Sequence, residues 1–234
     1  MELNVRKAAS LLGVSENTIY RWIDERRIPA YRVNESYRFN EAELLEWANS
    51  NPVHPPQSLI EGVEATPAAF TLEATLQAGG VHAGVAGRDG ASALQAVVAM
   101  MPLPADVSRE TLLHMLLARE NAGSTGIGEG IAIPHARNPI VMHLPHPIVS
   151  LCYLAQPIDF GAIDGQPVHT LFTIVSPTIK VHLALLSRLA FALRDPAFAA
   201  VVARKGTLAQ ILPQARRIDG VVSAGSGAKA AARP

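Results

Sequence analysis

Four glycines, Gly123, Gly126, Gly128 and Gly130, fall within eight residues, and the chain then runs through Ile131-Ala-Ile133 into Pro134 and His135. Glycine at that density frees the backbone to take positive φ and to turn several N–H groups toward one point. Proline fixes φ and stiffens the segment that presents the imidazole. A fold for this chain must therefore accommodate a backbone cradle suited to an anion, with a histidine set rigidly beside it. Histidine accepts phosphoryl or acyl groups at neutral pH because much of it is unprotonated there. Spacing and composition alone support that statement and no more.

The rest of the composition narrows the setting. A chain of 234 residues, 49% hydrophobic, suits one large or two modest domains with a sizeable core. A net charge of zero sets up no whole-chain field toward nucleic acid or membrane. The single cysteine, Cys152, rules out an intramolecular disulfide and sits in an apolar run that reads as a buried strand with an inert thiol. No window approaches the ~20 apolar residues of a membrane span. No signal peptide is visible either, so a soluble, cytoplasmic protein without membrane insertion is expected.

Residues 1–50 carry half of the aromatics in about a fifth of the chain and read as a domain of their own. Val5 to Gly13 is a short helix ended by glycine. Ser15 caps a second helix from Glu16 to about Glu25 that turns Ile19, Trp22 and Ile23 inward. The intervening turn suits a helix-turn-helix. A hairpin follows over Arg27 to Phe39, turning at Asn34-Glu-Ser36, and then a helix over 41–48 capped by Asn40. A proline-rich linker occupies 51–68. Residues 69–215 alternate helices and strands, which argues an α/β domain with a central sheet. Its expected helices cover Phe70–Gln77, Ala91–Met101, Arg109–Asn121, Lys180–Arg194, Pro196–Lys205 and Leu208–Gln214. Its expected strands cover Val81–Ala86, Pro147–Leu154 and Val168–Val175. Residues 216–234, ending in a stretch rich in Ala, Gly and Ser, are expected to form a disordered tail.

Two resemblances sharpen this reading. The string Gly123-Ser-Thr-Gly-Ile-Gly128, followed by Ile133-Pro-His-Ala-Arg137, resembles the active-site signature of fructose/mannitol-type enzyme IIA domains of the bacterial phosphotransferase system, nitrogen-regulatory members included. The resemblance runs from about Leu72 to Leu212. It implies a type-2 enzyme IIA fold, with a central mixed sheet flanked by helices. The phrases Ala8 to Ser15, Thr18 to Trp22 and Ile28-Pro-Ala30 resemble the excisionase/MerR-like winged helix-turn-helix, over about Leu3 to Ala48.

The enzyme IIA resemblance implies three catalytic positions: His135 as phosphoryl acceptor, His182 as a second active-site histidine on a helix, and Arg119 just ahead of the glycine loop. On residue chemistry alone, a helical histidine such as His182 is an ordinary packing residue, and Arg119 beside Glu120 an ordinary ion pair. With His135 as nucleophile, N–H groups around Ser124, Thr125, Gly126 and Gly128 are expected to hold the phosphoryl oxygens. His182 would hydrogen-bond the phosphate or fix the His135 tautomer, and Arg119 would offset the added charge. Glu129 stands where many relatives carry asparagine; a carboxylate near a phosphohistidine is unfavourable unless it points away. The pair His143-Leu-Pro-His146 lacks further ligands, so neither metal nor cofactor is expected.

The resemblance also implies the partners. An HPr-like phosphocarrier would phosphorylate His135 at the expense of phosphoenolpyruvate, making the protein a phosphoryl carrier rather than a turnover enzyme. A IIB protein or a regulated kinase or transporter would read its state. With no IIB or IIC segment attached, the expected role leans toward regulation rather than sugar uptake. The first 50 residues hold seven Lys+Arg against eight Asp+Glu, so they are not basic as a whole. The cations nevertheless gather in the second helix and hairpin. Asn17, Thr18 and Arg21 are expected at base edges, and Arg27, Arg32 and Arg38 at phosphates, of DNA. The alternatives are a DNA-binding transcription regulator gated by the enzyme IIA domain and a non-enzymatic partner-binding module that keeps the fold. Operator, sugar and oligomeric state are not encoded in any motif.

Overall fold

The computed structural model describes residues 2–12, 14–25, 27–33, 36–40, 43, 44, 47, 70–136 and 144–230. The expected linker at 51–68, the hairpin turn at Asn34 and Glu35, most of the helix expected over 41–48, and Arg137 at the end of the motif lie outside them.

The N-terminal domain opens with strand β1 (Glu2–Asn4), which leads directly into helix α1 (Val5–Leu12) and, after the turn, α2 (Glu16–Asp24). Ser15 caps α2 as expected, its Oγ accepting the Thr18 N–H at 3.2 Å. The hairpin follows as β2 (Tyr31–Val33) and β3 (Ser36–Asn40). β3 lies at the centre of an antiparallel three-stranded sheet in the order β1-β3-β2. β1 was not foreseen, because three residues are too few to show a period. It has a clear packing role: Leu3 lies opposite Phe39, and both are buried. Ala8, Leu12, Ile19, Trp22 and Ile28 complete the core, and the Trp22 ring lies 5.2 Å from that of Trp47.

The second domain begins with α3 (Leu72–Gly79), β4 (Val81–Val85), α4 (Gly90–Met100) and α5 (Arg109–Asn121). The glycine stretch forms β5 (Gly126–Gly128) and β6 (Ile131–Ala132). The long strands β7 (Ile148–Ile158) and β8 (Val168–Val175) follow, then α6 (Ile179–Arg194), α7 (Pro196–Ala203) and α8 (Leu208–Ala230). The sheet order is β4-β7-β8-β6-β5. β4 and β7 pair parallel, as do β6 and β8, while β7–β8 and β5–β6 are antiparallel. This is the mixed sheet that the sequence reading anticipated.

β7 and β8 are apolar on both faces because both faces are covered. Val149, Leu151, Tyr153, Phe172 and Ile174 pack with α3, α6, α7 and α8. Cys152, Leu154, Leu171 and Val175 pack with α4 and α5 on the other side. Burial pushes the Cys152 thiol up to about 12, which leaves it protonated and inert.

The chain's end departs from expectation. Instead of a short helix at Leu208–Gln214 and a disordered tail from 216, α8 runs on past Pro213 to Ala230. The Ala/Gly/Ser-rich composition concealed two anchors. Ile218 is 1% exposed in the core, worth roughly 2 kcal/mol of apolar burial. Asp219 accepts the N–H groups of Leu72 and Glu73, each at 2.9 Å, and the Arg188 guanidinium at 2.8 Å. The carboxylate thus caps α3 from 147 residues away while neutralising a buried arginine. Glu73, one residue into α3, is in turn gripped by Arg216 through both its oxygens. Among the described residues, no helix is long and apolar enough to cross a membrane.

Candidate functional site

The last turn of α5 supplies two adjacent charges that go separate ways. Arg119, 8% exposed, donates from one terminal nitrogen to the Gly123 carbonyl at 2.7 Å and from Nε to His135 Nε2 at 3.3 Å. Glu120 turns its carboxylate to Thr125, accepting the backbone N–H at 2.9 Å and the hydroxyl at 2.6 Å.

His135 follows β6 as an extension of it, bridged in parallel to Ile174 of β8. Pro134 contributes to that placement: its carbonyl accepts the Ile174 N–H at 2.9 Å. His135 Nδ1 lies 2.7 Å from the Ile133 carbonyl, which can only accept, so Nδ1 carries the proton. Arg119 can only donate, so Nε2 presents its lone pair. The tautomer is therefore fixed from both sides. His182 enters from the first turn of α6, whose N-cap Thr178 accepts the Val181 N–H. Its ring centroid lies 5.1 Å from that of His135, with 46° between the planes. His135 is 3% exposed and His182 4%. The three positions singled out in the sequence are thus side by side, although 16 residues separate Arg119 from His135.

The glycine loop differs from the open cradle expected of it. The Thr125 N–H is taken by Glu120 and the Gly126 N–H by Ser124 Oγ, at 3.0 Å, while the Ser124 hydroxyl donates to the Phe160 carbonyl at 2.6 Å. Ser124, Thr125 and Gly126 therefore spend these groups inside the protein, and the anion seated in this part of the loop is the Glu120 carboxylate. Sequence reasoning passed over Glu120, taking it only as an ion-pair neighbour of Arg119. Positive φ is taken at Gly123, Gly128 and Gly130, but Gly126 and Gly130 also serve close packing. A Cβ on Gly126 would stand 2.7 Å from Ala162, and one on Gly130, at φ +71°, would stand 2.3 Å from His169 Nε2. The turn between β5 and β6 also holds Glu129 at φ +53°, exposed, its N–H donating to Asp164 Oδ2. Burial, aided by the Lys205 charge, holds the His169 imidazole below its ordinary value. Among the described residues no group of three or more His, Cys, Asp or Glu could hold a metal.

The expected DNA-contacting residues are more dispersed. Asn17 and Arg21 stand exposed on α2, while the Thr18 hydroxyl lies 2.9 Å from Ser15 Oγ within the helix cap. Glu25 approaches Arg21 at 4.0 Å and Arg27 at 3.2 Å, tempering both cations. In the sheet, Arg38 pairs with Asn4 and Tyr31, but Arg32 pairs with Tyr37. Directly paired residues share a face and successive residues alternate, so the two arginines leave opposite faces. The sequence reading had grouped them together.

A helix-turn-helix head thus precedes a mixed-sheet α/β domain in which an arginine and a second histidine flank a buried histidine of fixed tautomer. Residues 77–213, more than half the chain, match the family described as "Phosphoenolpyruvate-dependent sugar phosphotransferase system, EIIA 2", and the chain belongs to that family; residues 2–52 match a helix-turn-helix domain. A nitrogen regulatory protein of Pseudomonas aeruginosa is 43% identical over 83 residues, covering 35% of this chain and 52% of that protein. Its Escherichia coli counterpart is 41% identical over 88 residues, covering 37% and 53%. The chain thus spans about half the length of these curated relatives. A Streptococcus pyogenes structure assigned as a PTS IIA domain superposes with TM-score 0.53 at 19% identity, over 64% of this chain and 97% of that one, a likeness in fold alone.

Proposed function

We propose that this protein accepts a phosphoryl group on Nε2 of His135 from an HPr-like phosphocarrier and passes it on, or displays it, as a regulatory signal. The observation that carries this reading is the hydrogen bond from Arg119 Nε to His135 Nε2, with Nδ1 held by the Ile133 carbonyl. In the transfer, the Nε2 lone pair forms the new N–P bond. The donor's N–P bond breaks, and its electron pair returns to the donor imidazole. No net proton moves, since the Nδ1 proton stays shared with Ile133. The incoming group displaces the Arg119 contact at Nε2, and the guanidinium, still anchored on Gly123, meets phosphoryl oxygens bearing about two negative charges. His182, its ring centroid 5.1 Å from that of His135, would hydrogen-bond the same oxygens. A IIB protein, or a regulated kinase or transporter, would take or read the group. The nitrogen-regulatory relatives favour the regulatory use.

Incubation with phosphoenolpyruvate, enzyme I and HPr should label the wild type stoichiometrically and leave His135→Ala unlabelled. Label surviving in that variant removes the assignment.

The helix-turn-helix match supports a second element of the reading, namely duplex DNA binding through Asn17, Thr18 and Arg21 of α2, with Arg27 and Arg32 at phosphates and Arg38, on the opposite face of the sheet, outside that set. Each phosphate contact adds about 0.9 to the slope of log affinity against log salt. Arg32→Ala should weaken binding and flatten that slope by about 1, whereas Arg21→Ala should weaken binding and relax its sequence preference. Duplex retention unchanged by salt and by both substitutions would favour a protein partner at this domain instead.

A further inference from the structure

We propose that Glu120 is a positioning residue for His135, acting through the loop it holds; the consequence for rate rests on the phosphoryl-transfer reading above, while the structural consequence does not. Three successive contacts lead from its carboxylate to the reactive ring. The carboxylate takes both donors of Thr125, at 2.9 and 2.6 Å. The Thr125 carbonyl accepts the Ile133 N–H at 3.0 Å. The Ile133 carbonyl accepts the His135 Nδ1 proton at 2.7 Å. The chain runs through separate peptide groups, so it transmits position and not charge.

The arrangement divides the work between neighbours on one helical turn. Arg119 braces the loop at Gly123 and faces Nε2, while Glu120 fixes the far side of the loop and, through Ile133, the Nδ1 side of the ring. Thr125 is 3% exposed, so loss of the carboxylate strands its N–H and hydroxyl in a nearly buried place. The carbonyl that aligns Ile133 then loses its anchor, and the imidazole gains the freedom to exchange tautomers and turn its lone pair away from the donor. The two-pronged, charge-assisted grip also explains why a residue so near a phosphorylation site is acidic. Its charge is spent on Thr125 rather than directed at the phosphoryl group.

The experiment combines nitrogen-15 spectra of the histidine side chains in the unphosphorylated full-length chain with the rate of phosphoryl uptake from phosphorylated HPr. Wild type should show the Nδ1–H tautomer of His135. Glu120→Ala should show a tautomer mixture and take up the group about 10- to 100-fold more slowly, in line with the cost of an ångström-scale misplacement. Glu120→Gln, whose amide oxygen still accepts the Thr125 N–H while its NH2 faces the hydroxyl oxygen, should keep the wild-type tautomer and a rate within about fivefold of wild type. If Glu120→Ala fails to fold, Thr125→Val, which replaces the hydroxyl that Glu120 holds by a methyl group, should shift the tautomer in the same direction. A folded Glu120→Ala, or a Thr125→Val, with wild-type spectrum and rate overturns the proposal. If the tautomer shifts as expected while even the wild type takes no label, the positioning role stands and the phosphoryl-transfer reading falls.

Discussion

Asp219→Ala is expected to lower the stability of the α/β domain by about 3–5 kcal/mol, the usual cost of removing one partner from a buried ion pair. Three donors lose their acceptor at once: the Arg188 guanidinium and the N–H groups of Leu72 and Glu73. Arg188 is 6% exposed, so its charge would be left without a counterion in a region that water barely reaches. A domain of this size is stable by about 5–15 kcal/mol in all, so the substitution removes a large share of the total. Urea unfolding followed by circular dichroism measures the loss. The double substitution Arg188→Met with Asp219→Leu should recover part of it by removing the stranded charge, though the Leu72 and Glu73 N–H groups, which the Thr71 cap does not reach, would still lack an acceptor, at about 1 kcal/mol. A single-variant loss below about 1 kcal/mol would mean that the carboxylate does not hold these groups in solution.

Arg119→Ala is expected to slow phosphoryl uptake by His135 by roughly 10²–10³-fold, the range seen when one preorganised donor to a developing charge is removed. Arg119→Lys should recover little. A lysine ammonium is a point charge and cannot span the Gly123 carbonyl and the His135 ring with one rigid fork. Rapid-quench transfer from phosphorylated HPr is the measurement, with labelled His135 confirmed as the end product. An alanine variant within threefold of wild type would assign the guanidinium to loop support alone.

These two sites divide cleanly by how readable they were. Arg119, His135 and His182 came from the resemblance to enzyme IIA, and the structure brings them together on α5 and α6, which were expected, and beside β6, which at two residues was not. The bounds of α5 and α6 follow directly from Ser108 and Thr178 at their N-caps. Asp219 was passed over for the opposite reason. Its three partners are distant in sequence, and its own neighbourhood is rich in small residues that carry no periodic signal. The loop's glycines were visible, but the cause of their spacing was not. Positive φ suggested an open nest, whereas the close contacts with Ala162 and His169 come from β8 and the loop before it. Likewise, the register that sends Arg32 and Arg38 to opposite faces depends on strand pairing, which a count of cations cannot show.

The cap that Asp219 places on α3 also sets a timetable. Ribosomes add about 5–20 residues per second, so the 147 residues between Leu72 and Asp219 take roughly 7–30 s to appear. Throughout that interval the first helix of the α/β domain waits for an acceptor that has not yet been made. The core of the N-terminal domain, drawn from Leu3 to Leu44, is complete long before. One chain thus matures in two instalments. A translation stop shortly ahead of Asp219 would release a finished helix-turn-helix followed by a domain without its clasp.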